Sequence, residues 1–83
     1  MSKILIEVYV PAAEKTYDVF LPKEAMVYEI LPMISSVMSE LEKGFFMAAE
    51  DSVLCYYGSG EVLDLKKSVN ELNLKNGSRL III

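Results

Sequence analysis

The residues of this 83-residue sequence whose types could carry chemistry are few: one thiol, Cys55, the acidic clusters Glu50-Asp51 and Glu61 with Asp64, and a glycine-rich step, Gly58-Ser59-Gly60. A cysteine becomes a nucleophile or redox centre when a nearby base or cation favours its thiolate, and the flanking Leu54 and Tyr56 supply neither. The chain contains no histidine. The commonest general base is therefore missing, and no nucleophile–histidine pair can be assembled. Cys55 reads as a plain strand residue. With one cysteine and no histidine, only scattered carboxylates could hold a metal, and both acidic clusters are explained by solvated loop ends. Gly58-Ser59-Gly60 lacks the following Lys and the helix N-terminus of a phosphate cradle, and is read as a hairpin turn. No catalytic, cofactor-binding or metal site is expected, so the chain is not expected to be an enzyme.

Composition points the same way. Hydrophobic residues make up 53% of the sequence, far above what disordered segments carry, and the length suits one domain spanning residues 1–83. A lone cysteine cannot form an internal bridge, which fits a reducing compartment, the cytoplasm. No signal-peptide pattern opens the chain, and no apolar run approaches the roughly 20 residues that cross a bilayer, so direct membrane insertion is not expected. The net charge is −4, from 12 acidic and 8 basic residues. That balance lacks the positive field a phosphate backbone requires, and nucleic acid is not an expected partner.

The elements that must position any functional surface follow from periodicity. Residues 4–10 alternate, with Ile4, Ile6, Val8 and Val10 on one side and Leu5, Glu7 and Tyr9 on the other. After the break at 11–15, alternation returns over 16–21, and Pro22 ends this second strand of a hairpin. The period then becomes helical: Val27, Ile30, Leu31, Ile34, Val37, Met38 and Leu41 recur at three- and four-residue steps, giving about four turns closed by Gly44. Pro32 removes a hydrogen bond within that pattern, so either a kink or a helix restarting at Pro32 is expected. Phe45 or Phe46 is expected to plug the core. A third strand follows over 53–57, a short fourth over 62–65, and a helical turn at 68–72, where Ser68 and Glu71 have capping-box spacing. The turn pair Asn76-Gly77 leads into a last strand, 79–83, whose apolar run suits the middle of a sheet.

If Leu54, Tyr56, Leu80 and Ile82 point to the helix, alternation turns Cys55, Tyr57, Ile81 and Ile83 to the opposite side of the sheet, joined by Leu5, Tyr9 and Phe20. Apolar area of that extent on one face marks a protein-binding surface. These seven residues are the candidate docking site.

The element order, the segment Asn73-Leu74-Lys75-Asn76-Gly77-Ser78-Arg79-Leu80-Ile81-Ile82 and the run Leu54-Cys55-Tyr56-Tyr57-Gly58 resemble the ubiquitin superfamily. Phe20-Leu21-Pro22 leading into residues 27–31 makes the chain most similar to the YukD/EsaB proteins encoded with type VII (ESX-like) secretion systems of Gram-positive bacteria. The resemblance implies an α+β, ubiquitin-like β-grasp fold: a mixed five-stranded sheet of order 2-1-5-3-4 packed on one long helix. It also implies a non-catalytic, cytoplasmic accessory or regulatory component, docking to the membrane ATPase or another cytosol-facing subunit of the secretion machinery. The ubiquitin patch used for partner binding lies on the same face that alternation identifies. Two alternatives remain open: a carrier or modifier activated at its C-terminus, disfavoured because the sequence ends at Ile83 rather than in Gly-Gly, and a homodimer formed through the apolar sheet face.

Overall fold

The computed structural model describes residues 2–42 and 53–83. Within them, β1 (Lys3–Val10) and β2 (Lys15–Pro22) form an antiparallel hairpin, α1 spans Val27–Glu42, and β3 (Leu54–Tyr56) and β4 (Arg79–Ile82) complete a mixed sheet. The strand order is β2-β1-β4-β3, with β4 parallel to β1 and antiparallel to β3. This is the β-grasp arrangement, and the last strand holds the central position its apolar run implies.

Hydrogen bonds across the β1–β4 seam explain the register. Leu5 N–H donates to the Asn76 side-chain oxygen at 2.8 Å, Gly77 N–H donates to the Leu5 carbonyl at 2.9 Å, and Glu7 N–H donates to the Ser78 carbonyl at 2.9 Å. The odd residues of β1 thus bond towards β4, leaving the even residues to bond β2. Gly77 takes φ +89°, a left-handed backbone that a side chain would strain, so the Asn-Gly pair both turns the chain and starts the parallel ladder. Pro22 shares the parity of β2 residues whose nitrogen points away from β1, so its missing N–H costs the sheet nothing.

Ile4, Ile6, Val8 and Val10 from β1, Leu54, and Leu80 and Ile82 from β4 pack against Val27, Ile30, Ile34 and Met38 of the helix. The helical stripe is narrower than its periodicity suggests: Leu31 is half-buried, whereas Val37 and Leu41 are exposed. Of the methionines on the helix, Met38 fills the core and Met33 does not. The helix runs continuously through Pro32, its sixth residue, so it does not restart there. Its first N–H groups are satisfied from outside. Val27 N–H donates to the Lys67 carbonyl at 2.9 Å and Tyr28 N–H to the Leu65 carbonyl at 3.2 Å, while Glu29, from inside the helix, accepts the N–H of the preceding Met26 at 2.9 Å.

The described residues hold four strands rather than the expected five. The segment expected as a fourth strand makes a single antiparallel bridge, Cys55 to Val62, at the position that strand would occupy. It ends there because the Asp64 carboxylate accepts the Lys66 N–H at 2.9 Å, folding the chain into a turn before a second rung can form. The capping box is present: Ser68 N–H donates to Glu71 at 2.9 Å, and Glu71 N–H donates to the Ser68 hydroxyl at 3.1 Å. It starts one helical turn that closes at Asn73, whose φ is +58°. The expected stop at Gly44 and the expected plug of Phe45 or Phe46 lie outside the described residues.

Cys55 departs from its expected exposure. It sits opposite Ile81 on one side and Val62 on the other, and only 4% of its surface is accessible. It stands apart from the helix-side core cluster, so it is covered on the other face of the sheet.

Two outcomes follow from this packing. Pro32→Ala restores a helix hydrogen bond at an exposed position and is expected to raise the urea midpoint, by the equivalent of about 1–3 kcal/mol. The Cys55 thiol is expected to react with an aromatic disulfide reagent at least about a hundredfold more slowly in the native protein than in denaturant, because labelling must wait for opening.

Candidate docking face of the sheet

The sheet face away from the helix is built from the odd residues of β1 and their cross-strand neighbours. Register sets three rows across it. Leu5 lies opposite Phe20, Glu7 stands between Asp18 and Arg79, and Tyr9 stands between Thr16 and Ile81, with Cys55 and Val62 continuing the third row. Tyr57 remains beside the second row, because its N–H donates to the Arg79 carbonyl at 3.1 Å. Ile83 remains beside Val53 through a reciprocal pair of backbone bonds of 3.0 and 3.1 Å.

Six of the seven expected docking residues reach this surface. Phe20, Tyr57 and Ile83 are 65%, 47% and 64% exposed, and Leu5, Tyr9 and Ile81 are half-buried. Cys55 lies in the same layer but is covered by its neighbours, so it supports the surface from beneath. Exposed Val62 extends the apolar area past β3, a contribution that periodicity assigned to a strand rather than to this face.

The face is not uniformly apolar, as the alternation had suggested. A charged row crosses it. The Arg79 Nε lies 3.5 Å from a Glu7 carboxylate oxygen, and its guanidinium carbon lies 6.0 Å from the centre of the Tyr57 ring. Tyr9 meets the same ring edge-on, with centroids 6.0 Å apart and planes at 80°. The ion pair is solvent-exposed and contributes little stability, at most about 1 kcal/mol, while the edge-to-face ring contact adds about 0.5–1.5 kcal/mol. Together they hold Tyr57 upright over the rim of β4. A small cavity of about 170 Å³ lies among Glu7, Tyr9, Thr16, Tyr57, Arg79 and Leu80. A wider, open cleft of about 760 Å³ runs from the Tyr57–Glu61 turn to Leu72–Leu74 and Arg79. Glu7 was placed on this face by its position between Leu5 and Tyr9. Asp18 and Arg79 share the parity of Phe20 and Ile81, so alternation faces them the same way; their alignment with Glu7 in one row depends on a register that only the fold provides.

The other chemistry-bearing groups serve the backbone. Asp64 is used in its turn, and Ser59 Oγ accepts the Glu61 N–H at 3.2 Å while Gly60 N–H donates to the Tyr56 carbonyl at 2.9 Å, closing the expected hairpin turn. Among the described residues, no three His, Cys, Asp or Glu side chains gather as metal ligands, and no helix is long and apolar enough to cross a membrane. Glu50-Asp51 lies outside the described residues.

Comparison with solved structures places this architecture among ubiquitin-like domains. The chain is similar to the ubiquitin-like domain of the Mycobacterium tuberculosis type VII secretion system protein ECCD1, with a TM-score of 0.81 and 20% identity over 100% of this chain and 99% of that one. It is similar to the EccD5 ubiquitin-like domain from Mycobacterium xenopi, with a TM-score of 0.72 and 18% identity, covering 100% and 94%. It also matches 21% of a chain in the MycP5-free ESX-5 inner membrane complex, over its own full length, with a TM-score of 0.75 and 22% identity. No match was found among curated protein sequences. The sequence model of the family described as "WXG100 protein secretion system (Wss), protein YukD" matches residues 5–82. A β-grasp sheet on one helix, built along nearly its whole length to that family's pattern, makes this chain a member of the YukD family.

Proposed function

We propose that this chain is a non-catalytic docking module that acts in the bacterial cytoplasm, in Gram-positive cells, as an accessory or regulatory component of a WXG100 (type VII) secretion system. Its partner is the membrane ATPase or another cytosol-facing subunit of the machinery. The observation that carries this reading is the apolar cluster of Tyr9, Tyr57, Ile81 and Ile83 on the open sheet face of a YukD-family chain. Aromatic and aliphatic side chains held on a rigid sheet lose little conformational freedom when covered, which is what a binding hot spot needs. The flanking Glu7–Arg79 pair supplies a polar rim that fixes orientation. The likeness to a domain within an inner membrane secretion complex adds support of a coarser kind.

The test is a paired substitution, Tyr57→Asp with Ile81→Lys, beside a control, Glu24→Lys, at an exposed position on another part of the chain. With folding checked by circular dichroism and urea titration, the pair is expected to weaken co-purification of the machinery by at least about tenfold and to reduce export of WXG100 proteins. Folded variants that bind and export like the wild type would rule this surface out.

A further inference from the structure

Among the described residues, strand β2 is the outer strand of the sheet and has β1 as its sole strand neighbour. Because the odd residues of β1 bond β4, Ile4, Ile6, Val8 and Val10 bond Leu21, Val19, Tyr17 and Lys15, and the intervening residues of β2 must point their backbone groups outward. The N–H and C=O groups of Thr16, Asp18 and Phe20 therefore line an open edge. Such an edge on an eight-residue strand is a template for another strand. Its side chains are graded for the purpose: Phe20 is exposed on the open face, and Tyr17 and Val19 are half-buried on the helix side.

The charge pattern selects the occupant. A two-fold antiparallel pairing of β2 with a second copy must match outward-pointing residues with one another, and the register that pairs residues 15–21 sets Asp18 against Asp18 of that copy, where like charges directly opposite are destabilising. The neighbouring registers set Asp18 against Thr16 or Phe20, which offer no counter-charge. A partner strand with a basic residue at that rung answers Asp18, since Arg79 is already paired with Glu7, on a chain of net charge −4. We infer that β2 accepts an extended segment of another protein as an added strand, with a Lys or Arg opposite Asp18 and an apolar residue opposite Phe20. This edge is separate from the Tyr57–Ile81 surface and follows from the fold alone, so its failure would leave the proposed secretion role standing.

The test titrates the isotope-labelled full chain with an acetylated, amidated peptide, Val-Val-Thr-Lys-Thr-Val-Thr, and with its Glu analogue. The Lys peptide is expected to slow hydrogen exchange at the Thr16, Asp18 and Phe20 amides and to bind at least about fivefold more tightly than the Glu peptide. Asp18→Lys is expected to reverse that preference, and N-methylation of alternate peptide nitrogens to abolish binding. Equal binding of both peptides, shifts confined to Tyr57 and Ile81, or a concentration-dependent dimer that protects the same three amides would overturn the inference.

Discussion

The structure depends on a division of labour along β1, where each residue's parity settles two things at once. Ile4, Ile6, Val8 and Val10 send side chains into the core and bond β2, while Leu5, Glu7 and Tyr9 send side chains to the open face and bond β4. A slip of one residue would invert both assignments, placing Glu7 under the helix and aliphatic residues in water. The Asn76-Gly77 turn guards against such a slip. It fixes Leu5 from both its N–H and its carbonyl, so the final strand can enter beside β1 in one register. The core, the open face and the free edge of β2 are all consequences of this one arrangement.

Much of this is legible in the sequence alone. Periodicity marked both hairpin strands, the helix and the central strand, because each buries a continuous face and a buried face leaves a repeat in the sequence. The capping box was legible for a different reason: it is a local exchange between Ser68 and Glu71, closed within four residues. The missing strand shows what local pattern does not contain. Residues 62–65 alternate as a strand would, yet Asp64 turns the chain after one rung, and choosing between its carboxylate and a ladder partner depends on where β3 lies.

The same limit explains the site. Alternation puts six apolar side chains on the sheet face away from the helix, since facing direction is a property of one strand. Whether a side chain there is covered is a property of its neighbours, and Cys55, between Ile81 and Val62, is the residue for which the two differ. The charged row of Asp18, Glu7 and Arg79 crosses three strands, so it exists only in the assembled sheet. A TM-score of 0.81 at 20% identity to a mycobacterial domain is consistent with this view, in that the pattern of facing outweighs the identity of most residues.

The bond from Leu5 to Asn76 joins residues 71 positions apart. During synthesis the ribosome delivers β1, β2, α1 and β3 well before the strand that sits between β1 and β3. Until β4 emerges, β1 and β3 have no common neighbour, and both flanks of the future seat present unpaired backbone. The middle of the sheet is therefore a late closure in which one short strand joins two half-built pieces, and a nascent chain waiting for it is at its most exposed to wrong pairing just before β4 emerges.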